Sequence, residues 1–239
     1  MIGCDCKVCT SPNPKDKRLR TSAMISINNI NIVIDSGPDF RQQMLTNQVK
    51  NVDAILITHE HNDHIIGMDD IRPFNFNTGK EMNVYAIKRT AEELKDRFKY
   101  IFKEEEYPGA PRIKLNVIDP QTPFLIEGIT ITPIEVMHGR MQIVGFRIGD
   151  FTYITDAKTI PDTEITKIKG SKVLVLNALR RKEHHAHLTL QQAIDMSTLI
   201  QPDATYFTHF SHWLATQEEL ENELPNNIFP AYDNLTLEI

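Results

Sequence analysis

The segment Thr58-His59-Glu60-His61-Asn62-Asp63-His64 packs three histidines and an aspartate into six positions, directly after the apolar run 54–57. His59 and His61 are two apart, so on an extended segment their side chains point the same way. Asp63 and His64 follow as the chain turns toward a helix through 65–67. Imidazole suits zinc and similar transition metals, and carboxylate also accommodates manganese, so the cluster reads as ligands for two neighbouring ions. An isolated His-x-His is more often a pair of surface histidines. Four candidate ligands within six positions, straight after an apolar strand, are far more specific.

A second constellation lies at the start of the chain, where all three cysteines fall in Cys4-Asp5-Cys6-Lys7-Val8-Cys9. An odd number of thiols at this spacing is awkward for a disulfide framework, and in a reducing compartment clustered thiols bind metal. A closed structural zinc takes four ligands in a tetrahedron. The natural fourth is His212, three residues beyond His209 in "THFSHW". A redox pair or three unligated thiols are the alternatives, and thiols beside an exposed terminus are prone to oxidation. A third constellation, Arg180-Arg181-Lys182 followed by His184, His185 and His187, fits either a phosphate-receiving loop or a solvated charge run.

The elements that must position these residues are legible from hydrophobic period. "MISINNINIVIDSG" is a hairpin turning at Asn28-Asn29. "DAILIT" and "NVYAIK" are strands, and "RTAEELKDRFKYIFK" (89–103) is a helix that "YPGAPR" breaks. "ITITPIEVMH", "IVGFRIG", "FTYITD", "SKVLVLNAL" and "ATYFTH" are further strands. "TLQQAIDMSTLI" is a helix with a capping threonine, "ATQEELENEL" a short helix and "LTLEI" a final strand. Candidate ligands recur where strands end: AILIT runs into His59, ITPIEVM into His138, FTYIT into Asp156 and TYFT into His209. Strands that stop at a ligand deliver it to a sheet rim where loops converge. Singly, His138 would read as a surface histidine, Asp156 as a turn residue and His209 as a satisfied buried histidine. In order and at strand ends they complete a ligand set.

The chain has 239 residues and a net charge of −6, with no repeat or low-complexity linker. These properties predict one domain over 1–239, with the cysteines at 4–9 as its candidate zinc knuckle. The acidic balance argues against bulk nucleic-acid binding. No run has the length of a membrane span or the apolar core of a signal peptide, so the expected location is cytoplasmic.

The string His59-x-His61-x-Asp63-His64 resembles the defining motif of the metallo-β-lactamase superfamily. "IDSGPDFRQQ" (34–43), "THEHNDHIIGMDDIRPFN" (58–75), "MHG" (137–139), "YITDA" (153–157) and "FTHFSH" (207–212) resemble its PhnP-like, cyclic-phosphate phosphodiesterase branch, which the early Cys-x-Cys-x-x-Cys also favours. The resemblance implies an α/β chain forming a four-layer αββα sandwich. It implies two zinc or manganese ions, one held by His59, His61 and His138, the other by Asp63, His64 and His209, with Asp156 bridging. It further implies one structural zinc on Cys4, Cys6, Cys9 and His212. The catalytic set would be Asp63, Asp156 and a histidine acting near the leaving group, either His187 or His185. Asp35 would orient a ligand histidine or serve only as a turn residue.

Such proteins carry a strand and a Gly-Thr-rich turn before the cysteine motif. Here Met1 stands three residues before Cys4, so this chain is expected to lack that first strand or to start further upstream. The expected activity is hydrolysis of phosphodiesters, small cyclic sugar or nucleotide phosphates among them, by a metal-bridging hydroxide. The alternatives are lactone, thioester or β-lactam hydrolysis on the same site, or a non-catalytic zinc-stabilised binding protein. A ribonuclease Z role fits less well, since no Gly/Pro-rich arm is present. The expected partners are a small phosphodiester and a second copy in a homodimer.

Overall fold

The computed structural model describes residues 1–103 and 109–239, so the first two residues of the expected break "YPGAPR" lie outside the described residues. The chain forms two compact units, one of residues 20–128 and one of 1–19 with 129–239.

The 20–128 unit begins with β1 (Ala23–Ile27) and β2 (Ile30–Ile34), antiparallel and joined through Asn28 and Asn29. Both asparagines have positive φ, 50° and 66°, as a two-residue hairpin turn requires. Then follow α1 (Phe40–Thr46), β3 (Ala54–Leu56), α2 (Asn62–Ile65), a 3-10 turn over Ile66–Ile71, and α3 (Arg72–Thr78). β4 (Met82–Ile87), α4 (Lys88–Arg97), β5 (Ile113–Ile118) and β6 (Phe124–Ile126) complete it. The sheet runs β1-β2-β3-β4-β5, with every pair from β2 onward parallel. Val33, Ile55, Val84 and Ala86 are fully buried with Phe40, Ile65, Met68 and Ile71 in one core. Each large apolar side chain buried in this way contributes about 1.5–3 kcal/mol. The expected helix over 89–103 ends at Arg97, because Phe98 leaves helical geometry (φ −108°, ψ 42°) and is buried in that core.

The other unit holds β7 (Ile129–His138), β8 (Met141–Ile148), β9 (Phe151–Ile154), α5 (Asp162–Ile168), β10 (Val173–Asn177), α6 (Leu190–Ile200), β11 (Ala204–Thr208), α7 (Gln217–Glu223) and β12 (Ile228–Pro230). β7, β8 and β9 are antiparallel neighbours, and β9, β10, β11 and β12 are parallel. Thr189 caps α6 and Thr216 caps α7, each through a complete capping box. The expected last strand, 235–239, is not one. Its alternation is real, but no strand edge pairs with it, and the terminal strand is β12. Among the described residues no strand precedes β1, and no helix is long and apolar enough to cross a membrane.

The N-terminal segment is tied to α7. Buried Asp16 accepts the Gln217 backbone N–H at 2.7 Å and the Ser11 hydroxyl at 2.5 Å, and Arg18 donates to the Gln217 side chain.

Candidate metal centre

In the 20–128 unit the parallel order of β2 and β3 brings their C-terminal ends to one sheet edge, where Asp35 and His59 follow. Asp35 has φ 64°, a left-handed conformation that re-aims its carboxylate as the strand ends. The carboxylate is fully buried, which raises its pKa, while His64 and Thr58 pull it down. It accepts the Thr58 backbone N–H at 2.8 Å, the Thr58 hydroxyl at 2.8 Å and His64 Nδ1–H at 2.7 Å. The Thr58 oxygen in turn accepts His59 Nδ1–H at 2.9 Å. Both histidines therefore keep their proton on Nδ1 and present the Nε2 lone pair, the arrangement metal-bound imidazoles use. His59 Nε2 lies 3.1 Å from His61 Nδ1. Two nitrogens bound to one tetrahedral zinc are ~3.3 Å apart, so this pair suits a shared ion. Asp63 is reached by Arg20 at 3.7 Å and lies beside His64 Nε2 at 3.8 Å. Asp35 thus acts on His64 through a hydrogen bond, and Asp35→Asn, which loses one of the acceptors, is expected to weaken metal binding by about 10- to 100-fold in a chelator competition.

Two glycines let this loop close. Ser36 N–H donates to His64 O at 2.8 Å and Gly67 N–H to Ser36 O at 2.9 Å. A Cβ on Gly67 would overlap the Gly37 carbonyl oxygen and stand 2.8 Å from Phe40 Cβ, and a Cβ on Gly37 would overlap the Asp63 carbonyl. Gly67→Ala is therefore expected to destabilise by about 3 kcal/mol, at the upper end of overpacking costs, read as a fall in the unfolding midpoint together with loss of metal. Glu60, between the two histidines, is buried and accepts Arg89 at 3.1 Å and Thr90 at 3.0 Å, which pins the loop to the start of α4.

In the other unit β7, β9 and β11 share a direction, so His138, Asp156 and His209 arrive at one sheet edge. Asp156 (φ 59°) and His209 (φ 57°) are both left-handed, like Asp35. His138 Nδ1–H donates to the carbonyls of Asp156 at 2.8 Å and Ala186 at 2.9 Å, which again turns Nε2 outward as the acceptor. Buried Asp156 lies 3.1 Å from His209 Nε2 and accepts the Thr155 hydroxyl at 2.7 Å. Asn177, fully buried, clamps the next residue by accepting Ala157 N–H and donating to Ala157 O. Asp156, His187 and His209 offer ligand atoms within 4.8 Å of one another.

The two histidines left open by the sequence occupy different places. His187 is buried, stacks on His209 at 5.0 Å, meets His138 at 4.6 Å, and has its Nδ1 3.9 Å from Asp156 Oδ2. That Nδ1 is buried without a hydrogen-bond partner. Burial is the main influence on His187; Asp156 opposes it, His209, His138 and His184 reinforce it, and the pKa is lowered to about 3. His185 is exposed, with its ring against His184 at 4.5 Å. Of the basic triplet, Arg180 donates to the carbonyls of Lys182 and Glu183, Arg181 is paired with Glu223, and Lys182 is exposed.

The knuckle residues also meet. Cys4, Cys6, Cys9 and His212 place one ligand atom each within 4.8 Å of one another. His212 Nδ1 is 3.3 Å from Cys4 Sγ and 3.5 Å from Cys6 Sγ. Sulfur and nitrogen on one tetrahedral zinc are ~3.6 Å apart, so the donor set and its spacing fit a closed Cys3His site. The Cys9 backbone N–H, and next His212, stabilise the Cys6 thiolate and lower its pKa to about 6. The Cys6 backbone N–H favours the Cys4 thiolate too, but the neighbouring thiols and burial leave Cys4 raised.

The supporting roles of Thr58, Glu60, Gly37, Gly67 and Asn177 are not visible in the sequence, because each depends on a hydrogen bond or close approach to a residue far along the chain. Only the glycines carried a local signal, standing at loop positions beside the ligand cluster.

Residues 30–210 match the family model described as the beta-lactamase superfamily domain. A crystal structure of a new diphosphatase from the PhnP family is 38% identical, covers 100% of this chain and 91% of its own, and superposes with a TM-score of 0.93. Zinc-bound PqqB from Methylobacterium extorquens is 18% identical, covers 100% of this chain and 95% of its own, and has a TM-score of 0.77, a likeness of fold. A protein named octanoyltransferase from Porphyromonas gingivalis (strain ATCC BAA-308 / W83) is 40% identical over 236 residues, which are 98% of this chain and 48% of that protein. The chain thus spans about half the length of this curated relative. Two sheets with their helices are consistent with the αββα sandwich of metallo-β-lactamases.

Proposed function

From the membership of this chain in the beta-lactamase superfamily domain family, a family of metallo-hydrolases, we propose that it is a dinuclear metal-dependent hydrolase of small phosphodiesters or diphosphates. The observation that carries the reading is the likeness along the whole chain to a PhnP-family diphosphatase. In this reading His59, His61 and His138 hold one ion, Asp63, His64 and His209 the other, and Asp156 both. Zinc or manganese suits these nitrogen and carboxylate donors. When bound, such a pair supplies an acidified water and positive charge for phosphate oxygens.

The chain's own residues supply the rest. Asp35 and the carbonyls of residues 156 and 186 fix the ligand tautomers. Thr155, through its hydrogen bond, orients the Asp156 carboxylate. We assign the leaving-group side to His187 rather than His185, because His187 is buried against His138, His209 and Asp156. Its imidazole is neutral in the free protein, and an anionic phosphate oxygen against it raises its pKa. It then holds a proton at the place where the leaving oxygen needs one. The whole chain acts as one catalytic domain with an N-terminal zinc knuckle, in the cytoplasm and as a homodimer.

A second reading is thioester hydrolysis on the same ligands, favoured by the relative named octanoyltransferase. Assaying the metal-loaded protein on a cyclic ribose phosphate, a nucleoside diphosphate and an octanoyl thioester separates the two. Turnover of the thioester alone would replace the first reading with the second.

A further inference from the structure

The loop between β11 and α7 gives nearly every side chain an evident task. His209 lies on Asp156, Phe210 packs on the core beneath Arg18, and Ser211 turns the chain by accepting Trp213 N–H. His212 joins the knuckle, and Leu214 and Ala215 are buried. Trp213 is different: the only tryptophan of the chain, it is 65% exposed. Its ring is nonetheless held. His212 lies against it at 4.9 Å with a 34° tilt, and the Arg180 guanidinium stands 5.7 Å from its centroid. Arg180 is itself anchored by its bonds to the carbonyls of Lys182 and Glu183. The two loops that frame the ring are joined by Ser211 N–H donating to Leu179 O at 2.9 Å, and they carry His209 and His187.

We propose that Trp213 and Arg180 form a stacking subsite for a purine or similar planar base, so that the preferred substrates are nucleotidyl phosphodiesters or diphosphates. The inference rests on the phosphoryl-hydrolase reading above and names its substrate class. An exposed tryptophan gives a base a π-face, and the neighbouring guanidinium adds attraction for both ring and phosphate. Of the neighbouring cations, Arg181 is committed to Glu223, and Lys182 is exposed in the same loop. The net charge of −6 argues against a nucleic-acid polymer as the ligand. Because His212 and Arg180 both lie against the ring, little ordering is needed when a base arrives.

The test compares AMP with ribose 5-phosphate by calorimetry on the metal-loaded protein, in the wild type, Trp213→Leu and Trp213→Phe, with knuckle zinc verified in each. Both ligands carry the same phosphate, so their ratio isolates the base. AMP is expected to bind about 10-fold more tightly than ribose 5-phosphate, as one stacked base supplies. The preference should fall to near unity in Trp213→Leu and persist in part in Trp213→Phe. Equal affinities in the wild type, or an undiminished preference in Trp213→Leu, would overturn the subsite and leave the hydrolase reading standing. Binding of neither ligand would also overturn the subsite, and turnover of a phosphodiester on the same sample would then decide the hydrolase reading separately.

Discussion

Asp156→Ala is expected to abolish metal-dependent turnover, by roughly 10³-fold or more, equivalent to about 4 kcal/mol of barrier. Three features make this effect the largest. Asp156 is buried, so its loss leaves a desolvated gap that water fills imperfectly. It lies 3.1 Å from His209 and 3.9 Å from His187, so it touches both the ligand and the histidine assigned to the leaving group. In the proposed centre it also serves both ions, so one substitution weakens two sites. Steady-state turnover with metal content measured on the same sample checks the prediction. Asp156→Ala with full metal and unchanged turnover would remove Asp156 from the mechanism. The backbone adds a control: φ is 59° here, and asparagine tolerates that conformation while offering a neutral oxygen. Asp156→Asn should therefore fold as the wild type does while still losing metal.

Cys6→Ser is expected to lower the unfolding midpoint by roughly 10 °C, as a loss of about 4 kcal/mol does in a chain of this size. Structural zinc contributes on the order of 10 kcal/mol to small modules. The expected loss here is smaller because the N-terminal segment has other anchors, Asp16 on the Gln217 backbone and Arg18 on the Gln217 side chain. The effect should spread to the active-site half that shares the loop, since His212 is three residues from His209. Zinc content should fall by one equivalent and turnover should drop with it. Calorimetric unfolding with and without a strong chelator reads this directly. A variant that keeps the wild-type midpoint would show that the three thiols do not hold a structural ion.

Much of this was legible in the residues. Ligands at strand ends could be read because strand, turn and ligand are contiguous: 54–57 into His59, and 204–208 into His209. The hairpin at Asn28-Asn29 and the capped helix after Thr189 could be read for the same reason. What escaped was non-local. Residues 235–239 alternate like a strand, but whether a strand forms depends on an edge that accepts it, and β12 formed from 228–230 instead. The helix from 88 onward stopped at Arg97 because Phe98 gained more from the core than from another helical turn. His187 and His185 are two residues apart with the same chemistry, and only burial against His138 and His209 separates them. The role of Asp35 was equally balanced in the sequence and rests on one 2.7 Å bond to His64.

The most direct test of the central claim is a titration of the metal-free protein with zinc or manganese, following hydrolysis of bis(p-nitrophenyl) phosphate. Turnover should appear only as two equivalents bind beyond the one held by the cysteines, and should saturate there. A protein with all three positions filled that leaves the phosphodiester intact would contradict that claim.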